Sequence, residues 1–259
     1  MDLHLSGKTV LITGGSKGIG YGIAERLAEE GCNVILVSRN AGDLDKARKQ
    51  LEARFKVKVA TLAADLSQLA GQEAVVAAHP DIDILVNNAG AIRRGQLEDV
   101  DDALWKSYWD LKVFGYINLT RSYYTRMKAR REGVILNIIG VAGERLDAGY
   151  IAGSTGNAAL IAFTRAMGGA SPDFGIRVVG INPGSVMTEK SIISHRLQAQ
   201  DKFGDPERWP ELVKTKPFGR AIKPEEISAM AALLVSDLSG YTSGTVFTID
   251  GGASNRRPI

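Results

Sequence analysis

Short apolar runs alternate with amphipathic stretches along almost the whole of this 259-residue chain. Runs such as Val10-Leu11-Ile12 and Val34-Ile35-Leu36-Val37 are continuous rather than alternating, which suits strands buried on both faces of a parallel sheet. Seven strands are predicted, over 9–13, 33–37, 56–62, 82–87, 133–139, 176–181 and 245–249. Between them the apolar period lengthens to that of a helix. Ile23, Ala24, Leu27 and Ala28 form one face, with Glu25, Arg26, Glu29 and Glu30 on the other. Helices are predicted near 18–30, 41–54, 67–78, 101–130, 154–170 and 224–236. This alternation predicts an α/β protein built on a doubly wound parallel sheet of about seven strands, with helices on both faces.

The stretch 185–222 breaks the rhythm. It is polar, contains Pro206, Pro210 and Pro217, and carries the aromatic anchors Phe203, Trp209 and Phe218. It follows a strand's carboxyl end, where such sheets bind ligands. It is read as an insertion that covers a substrate, with a plain surface insertion as the alternative.

The sharpest local signal is Thr13-Gly14-Gly15-Ser16-Lys17-Gly18-Ile19-Gly20, set between the first strand and the first helix. Glycine lets the backbone turn tightly and approach a ligand with no Cβ in the way. The helix start offers unpaired N–H groups and the positive end of its dipole to an anion. With a strand before it and a helix after it, the turn reads as a seat for a nucleotide pyrophosphate.

Composition narrows the partners. A formal charge of +3, with no basic cluster interleaved with aromatics, argues against nucleic acid. The single cysteine, Cys32, excludes an internal disulfide framework. His4, His79 and His195 are scattered, so no metal site is expected. The start Met1-Asp2-Leu3-His4 lacks the layout of a signal peptide, and no apolar run approaches membrane-spanning length. A cytoplasmic protein acting on a small-molecule substrate, with no membrane partner, is expected.

Further motifs follow in order. Asp65-Leu66 comes after the third strand, Asn87-Asn88-Ala89-Gly90 closes the fourth, Asn182-Pro183-Gly184 with Thr188 follows the sixth, and Ile249-Asp250-Gly251-Gly252 the last. Together with the glycine turn they resemble the short-chain dehydrogenase/reductase family over nearly the whole chain. The resemblance implies a single Rossmann-type domain over 1–259 and a nicotinamide dinucleotide cofactor. It implies that Gly14, Ser16, Lys17, Gly18, Ile19 and Gly20 form the cofactor turn and that Asp65 and Leu66 contact the adenine. Asn88, Ala89 and Gly90 would border the cofactor, and Pro183, Gly184 and Thr188 would receive the nicotinamide carboxamide. A homodimer or homotetramer is implied as well. The second strand ends Val37-Ser38-Arg39-Asn40, with no acid to accept from a ribose 2′-hydroxyl. Arg39 offers a planar cation to a 2′-phosphate and Lys17 adds a second charge, so NADP(H) is expected over NAD(H).

The family's proton relay is where the resemblance fails. It usually has a proton-donating tyrosine, a lysine one helical turn later, a serine upstream that holds the carbonyl and an asparagine on the preceding long helix. In register, those positions hold Gly153, Asn157, Gly140 and Lys112. The asparagine and lysine look exchanged, which returns an ammonium to the same cavity from another helix. Two readings stay open. One is an oxidoreductase with a rearranged site, in which Lys112 supplies the cation and the proton comes from Tyr150, Tyr116, His195 or the substrate itself. The other is a catalytically inactive NADP(H)-binding homologue acting as a sensor or partner subunit.

Overall fold

The computed structural model describes residues 1–256. In chain order its elements begin with β1 (Thr9–Thr13), α1 (Gly18–Glu29), β2 (Asn33–Ser38), α2 (Ala41–Glu52), β3 (Val59–Ala63), α3 (Leu69–Ala78) and β4 (Ile84–Asn87). Then come α4 (Asp102–Trp109), α5 (Gly115–Arg130), β5 (Gly133–Ile138), α6 (Ile151–Ala170) and β6 (Ile176–Pro183). The chain continues through α7 (Glu189–Phe203), α8 (Trp209–Lys214), α9 (Pro224–Val235) and β7 (Val246–Ile249). The strands pair in parallel in the order β3-β2-β1-β4-β5-β6-β7, a Rossmann-type sheet.

The continuous apolar runs split between two faces, as the period of a strand requires. Val10, Ile12, Val34, Leu36, Val86 and Leu136 pack with Ile23 and Leu27 of α1, Leu44 and Leu51 of α2, and Ile227 of α9. Leu11, Ile35, Val37, Leu85 and Ile135 pack on the other side with Val75 of α3 and with Leu119, Tyr123 and Met127 of α5. Each such buried side chain contributes roughly 1.5–3 kcal/mol. Among the described residues no helix is long and apolar enough to cross a membrane.

The chain winds outward from β1 to β3 and then returns to place β4 beside β1, which leaves a crevice between their carboxyl ends. Hydrogen bonds clamp this crevice. Thr13 Oγ1 accepts from the N–H groups of Asn88 (2.8 Å) and Ala89 (3.0 Å). Asn88 Nδ2 donates back to the carbonyls of Thr13 (2.9 Å) and Gly14 (3.3 Å). Behind the clamp, buried Asn87 donates to Thr120 Oγ1 and Asn137 Oδ1, and Asn137 donates to Thr164 Oγ1. This chain ties β4 and β5 to α5 and α6.

Three departures from the sequence expectations matter. The helix expected over 101–130 is interrupted by a π-helical turn at Asp110–Phe114. A wider turn of this kind rotates the helix that follows, and apolar periodicity does not register one. The helix expected from 154 begins at Ile151, with Tyr150 as its N-cap, because the small residues Gly153, Ser154 and Gly156 hid its first turn. The stretch 185–222 is largely helical. Its prolines lie in the first turns of short helices, where a missing N–H costs nothing. The third strand also starts at Val59 rather than at 56.

Replacing Thr13 by Val keeps the shape of this buried side chain but leaves two backbone donors without their acceptor. Urea unfolding should show a loss of about 1–3 kcal/mol, the cost of unsatisfied buried groups. An unchanged midpoint would show that the clamp does not hold the crevice.

Candidate functional site

The glycine turn folds tightly against the end of β4. Gly14 and Gly18 have φ of 65° and 58°, in the left-handed region. A Cβ on Gly20 would lie 2.3 Å from the Gly14 carbonyl oxygen and 2.5 Å from Asn88 Nδ2. The first turn of α1 has neither a capping side chain nor an acid, so its N–H groups and dipole face outward unopposed. Ser16 is half-buried, and Ile19 turns its side chain into the core beneath. Glycine cradle and bare helix start together fit the pyrophosphate of a dinucleotide.

At the end of β2, Ser38 Oγ is buried with no hydrogen-bond partner among the described residues. Arg39 is exposed and borders a cavity of about 560 Å³ with Ser67, Arg93 and Arg94. It has no ion pair among the described residues. Lys17 differs from the expectation: its ammonium lies 2.9 Å from Asp43, so this second cation already has a partner. Asp65 turns back on its own loop, where Oδ1 accepts from the Ser67 N–H (3.0 Å) and Oγ (2.8 Å), and Leu66 is buried under the sheet.

The reacting end lies beyond β4 and β5. Lys112 sits in the π-helical turn, and its stem crosses Gly90, where a Cβ would come within 2.9 Å of Lys112 Cδ. Its ammonium donates to the Ile139 carbonyl at 2.6 Å. Burial, aided by the Lys190 cation, lowers its pKa to about 8. Gly140 follows immediately at φ 146°, ψ 139°, a conformation kept for glycine. A Cβ there would meet Asn157 Nδ2 at 2.9 Å. The Lys112 ammonium and the Asn157 amide therefore converge on consecutive residues, Ile139 and Gly140. Asn157 is 3% exposed, and its Oδ1 has no partner among the described residues. Buried Asn182 accepts from the Gly140 N–H at 3.3 Å and leaves its own Nδ2 without one.

Tyr150 folds its ring back over Gly153. A Cβ at position 153 would lie 2.0 Å from Tyr150 Cζ, so the ring fills the space where a side chain there would begin. Burial raises its pKa, with Arg94 opposing, so the phenol stays protonated at neutral pH. Its hydroxyl makes no hydrogen bond among the described residues. The other two candidate donors have structural tasks. Tyr116 is buried and donates to the Ile138 carbonyl at 2.8 Å. His195 lies in α7, stacked on Trp209 with centroids 6.3 Å apart, and burial together with the Lys216 cation lowers its pKa.

Thr188 caps α7, accepting from the Ser191 N–H at 3.2 Å, and its methyl carbon would stand 3.5 Å from a Cβ on Gly18. The segment that opens 185–222 thus faces the glycine turn. Gly184, next to Pro183, donates to the Ile249 carbonyl at 2.9 Å. Two features carried no sequence signal: the Lys190 cation near Lys112, and the Trp109 Nε1 donating to the Ala152 carbonyl at 3.1 Å, which pins the π-turn region to α6. Both depend on contacts between distant segments.

A family profile described as short chain dehydrogenase matches residues 8–196. Oxidoreductase UcpA of Salmonella typhimurium (strain LT2) is 35% identical over 256 residues, covering 96% of this chain and 95% of that protein. Galactitol 2-dehydrogenase (L-tagatose-forming) of Cereibacter sphaeroides is 30% identical over 251 residues, 96% of each chain. L-Sorbose reductase from Gluconobacter frateurii, solved in complex with NADPH and L-sorbose, superposes with a TM-score of 0.92 at 30% identity. It covers 99% of this chain and 100% of its own.

The packing of Tyr150 on Gly153 can be read by a pair of substitutions. Gly153→Ala should destabilise the wild type by about 1–2 kcal/mol, because an added Cβ overpacks the ring. In a Tyr150→Ala background the same change should stabilise by up to about 1 kcal/mol through helix propensity. The same sign in both backgrounds, in urea unfolding, would refute the contact.

Proposed function

This chain belongs to the short-chain dehydrogenase family and is an NAD(P)-dependent oxidoreductase, and we propose that it uses NADP(H) to interconvert a carbonyl and an alcohol on a small polyhydroxylated molecule. In this reading Lys112 replaces the family's usual proton relay. The observation that carries the reading is the Lys112 ammonium bonded to Ile139, beside Asn157 and over Gly90.

The turn from Gly14 to Gly20 and the open start of α1 hold the pyrophosphate, with Ser16, Lys17, Gly18 and Ile19 along it. Asp65 and Leu66 border the adenine, and Ser38 and Arg39 face the 2′-phosphate. Asn88, Ala89 and Gly90 back the cofactor, while Pro183, Gly184 and Thr188 receive the carboxamide. These residues would hold a nicotinamide dinucleotide, whose chemistry would supply hydride to a carbonyl carbon or accept it from an alcohol. The residues 185–222 cover the substrate. The names of L-sorbose reductase and galactitol 2-dehydrogenase support a ketose or polyol as its class.

Lys112 has one N–H held by the Ile139 carbonyl and two left to point at a substrate oxygen. Near neutral pH it is an ammonium that releases its proton readily, since its pKa is about 8. During reduction it gives that proton to the carbonyl oxygen; during oxidation the neutral amine takes it back. Tyr150 is a second proton-bearing group and stays a neutral hydrogen-bond donor.

The pH dependence follows from the sign of the shift. Because the ammonium form is lost above about pH 8, kcat/KM for ketose reduction should fall there about tenfold per unit. For alcohol oxidation, which needs the neutral amine, it should instead rise up to about pH 8 and level off above it. Lys112→Met should lower turnover by about 10²–10⁴ and remove the break at pH 8. NADPH binding with no turnover of any ketose or polyol would overturn this reading in favour of an inactive cofactor-binding protein.

Cofactor choice has its own test. Arg39→Asp should weaken NADPH binding about 10–100-fold in calorimetry, the loss expected for a charge-assisted phosphate contact. Tighter binding of NADH than of NADPH by the wild type would reject the assignment.

A further inference from the structure

A cavity of about 890 Å³ opens off the carboxyl ends of β6 and β7. One wall is Val141, Gly184 and Ser185, adjoining Gly140 and Pro183 of the site described above. Lys216 and Pro217 from the segment 185–222, and Arg145, also line the cavity. The volume is in the range of pockets that enclose a small organic ligand.

The charges of this cavity are unevenly matched. Four cationic side chains line it, Arg145, Lys216, Arg220 and Arg256, against the two carboxylates of Glu226 and Asp250. Both carboxylates are already engaged. Glu226 takes both guanidinium nitrogens of Arg220 at 2.7 and 2.8 Å, together with the Lys223 N–H at 2.8 Å. Asp250 turns inward to its own loop and accepts from the N–H groups of Gly252 (2.8 Å) and Ser254 (2.7 Å). Glu144, beside Arg145, accepts from Thr248 Oγ1 at 2.6 Å. Lys216 and Arg145 have no ion pair among the described residues. Lys216 is half-buried, and an ammonium taken partly out of water without a counter-ion is costly unless a ligand supplies one.

We propose that the substrate carries an anionic group, a carboxylate or a phosphate, which Lys216 and Arg145 bind within this cavity while the carbonyl to be reduced lies toward Gly140. This rests on the reading of the site given above and narrows its substrate to an acidic sugar derivative. Arg145 suits either anion as a planar fork, and Lys216 acts as a point charge.

Binding to the NADP⁺-loaded protein tests the proposal without requiring turnover. Calorimetry should find gluconate bound at least tenfold more tightly than glucitol, its neutral counterpart. Sorbitol 6-phosphate in the same series tells a phosphate site from a carboxylate site, and whichever anion binds tighter names the source. Lys216→Gln should cost at least tenfold in affinity for the preferred anion, Lys216→Arg should restore most of it, and NADP⁺ affinity reports that each variant is folded. The anion's advantage should shrink as salt rises from 0.05 to 0.5 M, roughly as screening predicts. Glucitol binding as tightly as both anions, or Lys216→Gln without effect on them, would overturn the proposal. Anion binding with these properties but no reduction of the matching keto acids or ketose phosphates would leave the site standing and overturn the oxidoreductase mechanism instead.

Discussion

The clamp between Thr13 and Asn88 is the constraint on which the rest of the site depends. It fastens the carboxyl ends of β1 and β4 where the winding of the sheet reverses. The glycine turn grows directly from Thr13, and the strand that ends in Asn87 leads directly to Gly90 and to the stem of Lys112. A shift of either strand end would therefore move the glycine turn and Lys112 relative to each other. Gly14 and Gly20 lack side chains because the amide of Asn88 occupies that space. The clamp and the glycines belong to one piece of packing.

The altered proton relay is also one piece of packing. Gly140 holds a backbone conformation that side chains avoid, and the amide of Asn157 lies against it. Gly153 lies beneath the ring of Tyr150. Lys112 reaches Ile139 from a π-helical turn held to α6 through Trp109. Each replacement has a neighbour fitted to it, so none reverts by itself without disturbing another. Such mutual fitting is expected when a core close-packed to the density of a crystal has adjusted around a changed group.

Legibility in the sequence followed the range of the interactions. The inner strands were visible because burial on both faces demands an unbroken apolar run, a purely local signal, and the edge strands β3 and β7 were visible from their place in the alternation with helices. The cofactor turn was visible because backbone conformation there dictates glycine residue by residue. The beginning of α6 was hidden since glycine and serine carry no periodicity, and the π-helical turn was hidden since it leaves composition unchanged. Lys17 looked available as a cation until folding brought Asp43 to it. The stretch 185–222 read as an irregular insertion because it is polar and rich in proline, whereas its prolines begin short helices.

Taken alone, the order of residues determined the parallel α/β architecture, the tight glycine turn between β1 and α1, and the absence of the usual serine, tyrosine and lysine from their positions. These are statements about adjacent residues, where backbone preference and burial period act directly. Folding decided that Lys112 and Asn157 meet at Ile139 and Gly140, that His195 spends its ring on Trp209, and that Lys216 and Arg145 line one cavity with no ion pair among the described residues. Those outcomes depend on which distant segments exclude water from a charge, and that is settled in space.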